Sequence, residues 1–557
     1  MQRRSQVRRR RLGRLAALVA AAVLLLAGCG GGAPAGQGGT GGAGAGGSET
    51  GQGAQIQEGG TLNIAMTGDI VSLDPAFAYD FTTNQVVDQM TEGLLKFDAQ
   101  GHVQPNLAES VENPNPTTYI YHLRKDVKFW DGNPMTADDV VYSMQRILDP
   151  KTASYVGWMY GNVDKIEKVD DYTVKVTLKQ PDAFWQYVPA TTAGHVVEKK
   201  WMESHPKAGK PEDGIMGTGP FMYESWTPGQ QIVLKKNPNY WDKAAGGPYL
   251  DKLVYHVIPD GTTIVAGLKT GEIDFAIDAV PADQLPLVQK MDNVELKMIT
   301  GDQVDYVALN NSREPFTDPK IRQALNYLID RQAIVDKFAH GASDPAGPTL
   351  VTPGLWTLGD RSKWEEAYKA LPDYSYNLEK AKELLQQSSR PNGFSFKLLV
   401  DPDPVRTGAA LQLQAEAEKI GIHIQIEKVT WQQLATQLLG KKDYDAAMDI
   451  WGSDFPDPAG NLFPTFLSTN TGDGGSNQVL YKNPQVDQLL HQQNGLTDPE
   501  QRAEILRQVQ AIIAQDVPMI AIDYPKQTLA INKKVAGYDF SALWYWDAYA
   551  KNLHFTK

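Results

Sequence analysis

The sequence is poor in cysteine, in long apolar runs and in positive charge, and each shortage excludes a class of protein. Cys29 is the only cysteine among 557 residues, so no intramolecular disulfide can form. No apolar run of 18 residues follows Cys29, which predicts that nothing after it crosses a bilayer. Acidic side chains outnumber basic ones by 66 to 53, which argues against nucleic acid or an anionic membrane as the main partner.

Sequence patterns for common catalytic and metal sites are also missing. The chain has no G-x-S-x-G, P-loop or H-E-x-x-H pattern, and its nine histidines include no i,i+4 pair. Cys29 is the only thiol that could join a zinc site. We therefore expect no metal and no cofactor.

A hydrolase of the penicillin-binding type is the catalytic alternative with some support in the sequence. Residues 204–207 match S-x-x-K and residues 269–271 match K-T-G, but the middle S-D-N element is absent. Pro206 also falls inside what would be the helix of the nucleophile. We interpret residues 269–271 instead as a turn between a helix and a strand around residues 273–277.

The amino-terminal segment has the composition of an export signal. Seven arginines precede an apolar stretch of 12 residues, Leu15 to Leu26, which is too short to span a bilayer. Cys29 follows directly after Leu26-Ala27-Gly28, and this pattern resembles a bacterial lipobox, in which the cysteine carries a lipid. A transmembrane segment that happens to contain a cysteine is the alternative. Without the seven arginines, the net charge of the chain is −20.

The rest of the chain divides into a glycine-rich tether and a long folded part. Thirteen of the 24 residues from 30 to 53 are glycine, which predicts a flexible tether over residues 29–55. About 500 residues follow, which exceeds one hydrophobic core and predicts two or three domains. Strand and helix patterns alternate along them, so we predict an α/β fold. The predicted strands are residues 61–66, 117–123, 172–178, 231–236 and 253–258.

Helix starts are marked by capping residues. Thr136 followed by two aspartates predicts a helix over residues 137–148, and this capping role is our interpretation of both carboxylates. Asp-Pro pairs at 318–319 and 498–499 predict helices that run to about Ile329 and Gln515. Another helix is predicted over residues 83–95. A strand, a helix and a strand between residues 394 and 426 predict a parallel βαβ unit with a right-handed crossover.

Aromatic side chains are frequent and cluster near the carboxyl terminus. The chain has 12 tryptophans and 23 tyrosines, which provide flat surfaces for sugar rings or peptide side chains. Trp544, Tyr545, Trp546 and Tyr549 are close enough in sequence that we predict at least one of them at a ligand.

Three longer stretches resemble family 5 of the bacterial extracellular solute-binding proteins, the dipeptide, oligopeptide and nickel class of ABC transporters. They are residues 119–140, residues 217–241, and residues 315–331 followed by Trp451-Gly-Ser-Asp-Phe-Pro-Asp-Pro458. Two positions depart from the family pattern: Asp126 replaces a usual glycine, and residues 113–116 replace an Asp-Gly turn. Both lie in the structural signature and not in the ligand motif.

The resemblance implies an α/β fold of the periplasmic-binding-protein type, a two-lobed type II clamp with an additional small inserted domain. A lipoprotein signal peptide over residues 1–28 and the tether over 29–55 would precede it. The implied boundaries are then 56–100, 215–315 and 530–557 for lobe I, 101–214 for the inserted domain, and 316–529 for lobe II.

The resemblance also implies how a ligand is held. In peptide-binding members, an acidic residue of the last motif pairs with the α-ammonium group, which corresponds here to Asp454 or Asp457. An Asp-Pro turn is the alternative role for both. With the aromatic residues Trp451, Phe455, Trp544 and Trp546, they form the predicted ligand site.

The expected function is that of a binding protein and not of an enzyme. We expect a monomer, lipid-anchored to the extracytoplasmic face of the bacterial cell membrane, that delivers oligopeptides to an ABC permease and ATPase complex. The anchor would be its only membrane contact, and no nucleic acid is expected as a partner. An oligosaccharide, a nickel complex or another solute is the alternative ligand, and a secreted hydrolase is the alternative function.

Overall fold

A computed structural model describes residues 56–243, 246–339, 341–472 and 475–557. The predicted signal peptide, Cys29 and the tether lie outside these residues and stay predictions. Within the described ranges, no helix is long and apolar enough to cross a membrane.

The strands of the described chain run from residue 56 to residue 556. They are β1 Ile56–Gln57, β2 Thr61–Met66, β3 Leu95–Phe97, β4 Val103–Pro105, β5 Ala108–Asn115, β6 Thr118–Leu123, β7 Val163–Asp170, β8 Thr173–Leu178, β9 Phe221–Thr227, β10 Gln231–Lys236, β11 Lys252–Val257, β12 Phe275–Ile277, β13 Val294–Thr300, β14 Val304–Leu309, β15 Ser343–Pro345, β16 Phe394–Val400, β17 Ile422–Lys428, β18 Ala446–Trp451, β19 Met519–Asn532, β20 Val535–Ala536 and β21 His554–Thr556.

The α-helices alternate with these strands. They are α1 Phe81–Val87, α2 Ala137–Leu148, α3 Lys199–Ser204, α4 Gly261–Thr270, α5 Leu285–Val288, α6 Pro319–Tyr327, α7 Arg331–Ile334, α8 Arg361–Lys369, α9 Leu378–Gln386, α10 Pro404–Glu418, α11 Trp431–Leu439, α12 Ala459–Phe466, α13 Pro484–Asn494 and α14 Pro499–Asp516.

Most of the strand and helix predictions are confirmed. All five predicted strands form, each within one residue of the expected bounds. The helix after Thr136 begins with a capping box, in which the Asp139 side chain accepts a hydrogen bond from the backbone N–H of Thr136 at 2.9 Å. The parallel βαβ unit is formed by β16, α10 and β17.

The predicted helix over residues 83–95 is wrong in its bounds. Helix α1 begins at Phe81 because the Asp80 carboxylate accepts a hydrogen bond from the N–H of Thr83, and it ends at Val87. Every residue from 82 to 95 is buried, so the apolar side chains in this segment reflect tertiary packing on all sides. Uniform burial leaves no helical period to mark where α1 ends.

The two motifs of the hydrolase alternative lie in separate elements, at the ends of α3 and α4. Helix α4 ends at Thr270 and Gly271 closes it in a left-handed conformation, at φ 79°, before β12 begins. The predicted turn at residues 269–271 is therefore confirmed only at Gly271, because Lys269 and Thr270 are the last residues of α4. Lys207 of the S-x-x-K match forms an ion pair with Glu212 at 3.0 Å.

One large mixed sheet organises most of the molecule. Its main strand order is β17-β16-β18-β14-β19-β12-β2-β11-β10-β9, and β13 and β15 also pair with β19. The long strand β19 divides this sheet into two parts. We call the part with β2 and β9–β13 the β2 half, and the part with β14–β18 the β14 half.

Strand β19 belongs to both halves in succession. Its first residues, through Asp523, pair with β14, and its residues from Lys526 onward pair with β13. Between β13 and β14 the chain also crosses from one half to the other, over residues 301–303. Two short crossings therefore lie side by side, and the surface between the halves is where a ligand could be enclosed.

A separate four-stranded antiparallel sheet has the strand order β5-β6-β8-β7. Along β8, intermediate and buried residues alternate, as expected for a sheet with one face on a core and one toward solvent. In contrast, all six residues of β14 are buried, because helices cover both faces of the large sheet.

Candidate functional site

The cleft between the halves contains a cavity of about 110 Å³ at the crossing of β19. The β2 half contributes Phe81, Asp278 and Thr528, and the β14 half contributes Asp305, Arg406 and Asp523 among others. Ser343 and Ile450 complete its polar and apolar walls. A molecule bound in this cavity would touch both halves at once.

Arg406 is the main cation of this cavity and is held by carboxylates. Its Nε and Nη2 contact the two oxygens of Asp401 at 2.8 and 2.9 Å, and its Nη1 contacts Asp305 at 2.6 Å. Burial opposes its charge, but Asp403, Asp305 and Asp401 outweigh that effect and raise the pKa of Arg406. The guanidinium is therefore charged and fixed in orientation before any ligand arrives.

The start of α10 explains how this network is placed. The carboxylate of Asp403 caps α10 by accepting hydrogen bonds from the N–H groups of Val405 and Arg406. Asp403 follows the carboxyl end of the parallel strand β16, the edge at which open α/β sheets bind ligands. Sequence reasoning did not single out Asp305, Asp403 or Arg406.

Asp278 provides an acidic group from the opposite wall. Its backbone adopts a left-handed conformation, at φ 46°, which is uncommon for a residue other than glycine. Its carboxylate accepts a hydrogen bond of 2.6 Å from the N–H of Thr528, which fixes it at the crossing of β19. Such strained conformations concentrate at functional sites.

Asp454 lies at the other end of the cleft, in the loop after β18. Its Oδ1 accepts a hydrogen bond of 3.1 Å from the hydroxyl of Tyr79, which belongs to the segment before α1. Asp454 is half-buried and lines a narrow cavity with Tyr79, Phe81 and Trp546. Phe81 also lines the cavity at Arg406, so the two cavities lie along one cleft.

Asp457 has a different environment, although it is only three residues away. It is completely buried, and its Oδ2 lies 2.8 Å from Nη1 of Arg502 and accepts a hydrogen bond of 2.9 Å from Tyr187. Its Oδ1 accepts the N–H of Ala459 at 2.8 Å. Both carboxylate oxygens of Asp457 are thus occupied by protein groups. We therefore retain the predicted contact with the ligand's ammonium group for Asp454 and not for Asp457.

The four predicted aromatic residues divide in the same way. Trp546 lines the cavity at Asp454, whereas Trp451 and Trp544 are buried in the cores of the β14 half and the β2 half. Phe455 stacks on Phe184 with ring centroids 5.4 Å apart. The structure therefore brings Asp454 and Trp546 together at the cleft and places Trp451, Phe455 and Trp544 in packing positions.

The described residues give no support for a metal centre. Among them, no group of three or more histidine, cysteine, aspartate or glutamate side chains could hold an ion. The carboxylates around Arg406 serve that guanidinium instead. What the cleft can do chemically is bind a polar, charged molecule by hydrogen bonds and ion pairs from two sides.

Comparisons with known proteins place the chain among solute-binding proteins. The family model described as "Bacterial extracellular solute-binding proteins, family 5 Middle" matches residues 102–473. Heme-binding protein A of Haemophilus influenzae is 32% identical over 501 residues, covering 84% of this chain and 87% of that protein. Glutathione-binding protein GsiB of Escherichia coli K12 is 30% identical over 483 residues, covering 85% and 91%.

A solved structure shows the same architecture. The periplasmic binding protein DppA of Helicobacter pylori, in complex with the peptide STSA, superimposes with a TM-score of 0.72 and 27% identity. The match covers 90% of this chain and 99% of DppA. The fold is therefore the two-lobed type II periplasmic binding fold, as the resemblance implied, and the chain belongs to family 5 of the bacterial extracellular solute-binding proteins.

Proposed function

We propose that this protein captures a peptide in the cleft between its halves and delivers it to an ABC permease. The observation that carries the proposal is the position of Asp454, whose carboxylate lies beside a cavity and contacts Tyr79 across the cleft. A buried ammonium group needs such a carboxylate and additional hydrogen bonds. The related DppA was solved with a peptide, and GsiB is named for glutathione. Both names support a peptide as the ligand class.

Binding and closure are linked by simple thermodynamics. A peptide that touches Asp454 from one half and Tyr79 or Phe81 from the other gains both sets of contacts only when the cleft is closed. The ligand therefore shifts the population toward the closed form, which is the form a permease can recognise. No bond in the peptide needs to break, so the function is binding and release and not hydrolysis.

The proposal also includes where this happens. We propose that Cys29 carries a lipid that anchors the protein, as a monomer, to the extracytoplasmic face of the cell membrane, in the periplasm or cell-wall space. The acidic mature chain, with a net charge of −20, has little attraction for anionic lipid, so the anchor would be its only membrane contact.

The direct test compares peptides with free and blocked amino ends. Isothermal calorimetry would measure the binding of alanine peptides of three to five residues, and of their N-acetylated forms, to the wild-type protein and to Asp454→Asn. We expect acetylation and Asp454→Asn each to weaken binding by about 2–5 kcal/mol, roughly thirtyfold to several thousandfold. The acetylated peptide should bind to Asp454→Asn only slightly more weakly than either change alone predicts, because both changes remove the same ion pair.

A matched control and clear negative results complete the test. Asp126→Asn removes one exposed carboxylate outside the cavities and should leave peptide affinity unchanged. If acetylated and free peptides bind equally, the amine contact at Asp454 is wrong. If no peptide binds, while an oligosaccharide, a nickel complex or haem does, the peptide assignment is wrong and one of the other ligands is correct.

A further inference from the structure

A third cavity, larger than the two in the cleft, is also lined by Trp546. Its volume is about 390 Å³, and its lining includes Asp88 from the end of α1, His195, and Asp547 from the carboxyl-terminal segment. We call it the Asp88 cavity. Trp546 thus lines both this cavity and the one at Asp454.

Two carboxylates of the Asp88 cavity have no hydrogen-bond donor among the described residues. Asp88 is only 3% exposed, and neither of its oxygens accepts a hydrogen bond. The closest ring nitrogen, Nε2 of His195, is 3.7 Å from Oδ1, beyond hydrogen-bond range. Asp547 accepts none either, and the surface that it exposes forms part of the cavity lining.

A third acidic residue in the lining of the Asp88 cavity, Glu92, does accept hydrogen bonds from the protein. Glu92 accepts hydrogen bonds from Thr218 at 2.8 Å, from Tyr240 at 2.7 Å and from Trp241 at 2.9 Å. Buried carboxylates are normally satisfied in this way, and those that are not require an explanation. Buried Asp88 therefore differs from Glu92 in lacking a hydrogen-bond partner among the described residues, and exposed Asp547 lies at the same cavity.

Among the described residues, no cationic side chain donates a hydrogen bond to either acid, although Lys96 and Lys551 attract Asp547. Burial lowers the pKa of His195 to about 3, so its ring is neutral, and Nδ1 is already 2.8 Å from Oγ1 of Thr91. Lys551 pairs with Asp242 at 2.5 Å, and Lys96 is exposed. Desolvation raises the pKa of Asp547, an effect that Lys96 and Lys551 oppose, and burial together with Asp547 raises the pKa of Asp88 well above its usual value. A cation in the cavity would favour the ionised form of both acids.

The shape and walls of the cavity indicate which kind of cation fits. Its volume is several times that of one water molecule and far exceeds what a bare metal ion requires. Among the described residues no metal-binding group exists here. Trp546 and Phe97, with ring centroids 5.3 Å apart, provide aromatic faces of the kind that attract alkylammonium and guanidinium groups.

We propose that the Asp88 cavity binds the ammonium or guanidinium side chain of the same solute whose amino end contacts Asp454. This inference rests on the proposed function and narrows its ligand class to peptides that contain lysine or arginine. Asp547 would accept hydrogen bonds from the cationic group, the buried carboxylate of Asp88 would attract it, and Trp546 would lie against its alkyl chain. The neutral ring of His195 would accept one further N–H.

The test uses peptides that differ only in one charge. The three tripeptides with one lysine and two alanines are compared by calorimetry with the same peptides carrying norleucine, in the wild-type protein, in Asp547→Asn and in Asp126→Asn. In the wild type, we expect at least one lysine peptide to bind about tenfold more tightly than its norleucine counterpart. Asp547→Asn should reduce this preference to less than about twofold, and Asp126→Asn should preserve it.

The outcomes separate this inference from the proposed function. If lysine and norleucine peptides bind equally well, or if Asp547→Asn preserves the preference, the Asp88 cavity is not a side-chain site, although peptide capture stands. If no peptide binds, both proposals are wrong. If only n-butylammonium binds, and Asp547→Asn abolishes it, the cavity takes a free amine and the link to the peptide is wrong. Thermal melting of Asp547→Asn checks that the variant is folded, and Asp88→Asn provides a second variant.

Discussion

At the scale of single residues, the environment decides what a carboxylate does in this protein. Asp454 and Asp457 share one short motif, yet Asp454 lines the cleft and Asp457 is enclosed by Arg502, Tyr187 and a backbone N–H. Both follow β18, but only Asp454 lines the cavity beside Tyr79. The family resemblance pointed to this motif and left the choice between the two aspartates open, and the contact with a ligand stays a prediction.

Asp449 gives a pH-dependent prediction at this scale. It is buried beneath the cleft, where desolvation raises its pKa to about 6, and it accepts a hydrogen bond from Tyr306 at 3.2 Å. Because its pKa in the unfolded chain is about 3.9, the stability due to protonated Asp449 is complete below about pH 4. That stability is lost as the pH rises to about 6, where the folded protein must also ionise the group.

Asp449→Asn should remove this loss, because an amide of the same shape never ionises. We expect the variant to be more stable than the wild type by about 1–3 kcal/mol at pH 8 and nearly equal to it at pH 4. Urea denaturation at both pH values measures the difference. An equal effect of the substitution at pH 4 and pH 8 would show that ionisation of Asp449 is not the cause.

At the scale of elements, the ion pair between Asp457 and Arg502 connects the start of α12 to α14. The hydrogen bond from Tyr187 to Asp457 connects the segment after the four-stranded sheet to the same pair. Both charged groups are almost completely buried. Such a pair is costly to break, because removal of one partner leaves the other charged and without compensation.

We therefore expect Asp457→Asn to lower the free energy of unfolding by about 3–5 kcal/mol. The double variant Asp457→Asn with Arg502→Met should recover part of this loss, because no buried charge remains. Chemical denaturation measures both, and Asp126→Asn, at an exposed site, should change stability by less than about 0.5 kcal/mol. Normal stability combined with lost peptide affinity in Asp457→Asn would instead place Asp457 at the ligand.

Local signals in the sequence predicted elements well where the cause of an element is local. Capping residues at Thr136, Asp318 and Asp498 marked helix starts that the structure reproduces, since a side-chain acceptor for free N–H groups is contained in neighbouring residues. The length of α1 was not predictable, because burial on all sides replaces the helical period there. The cleft residues were missed for a related reason: Tyr79, Asp278, Asp305 and Arg406 come from distant segments.

At the scale of the whole molecule, two short crossings join the halves, over residues 301–303 and around Asp523 to Lys526. Few residues have to change conformation for the halves to rotate about such a pair of crossings. The lobe boundaries predicted from the sequence stay a prediction, as does the extent of this motion.

Small-angle scattering provides the measurement for closure. We expect the radius of gyration to decrease when a peptide that binds by calorimetry is added, because the closed form buries the cleft. An N-acetylated peptide at the same concentration should leave the scattering curve unchanged, which serves as the control. Superimposable curves for free and peptide-bound protein, with binding confirmed independently, would show that capture occurs without closure.

The place of β19 in the sheet has a consequence for biosynthesis. Phe275 pairs with Ile531 and Val294 pairs with Asn532, so strands made early by the ribosome obtain their neighbour only near the end of translation. A nascent chain that stops before residue 519 lacks the strand that joins β14 to β12 and β13, and its open edges invite association with other chains. The native sheet is therefore completed after synthesis, in one late step that involves the whole polypeptide.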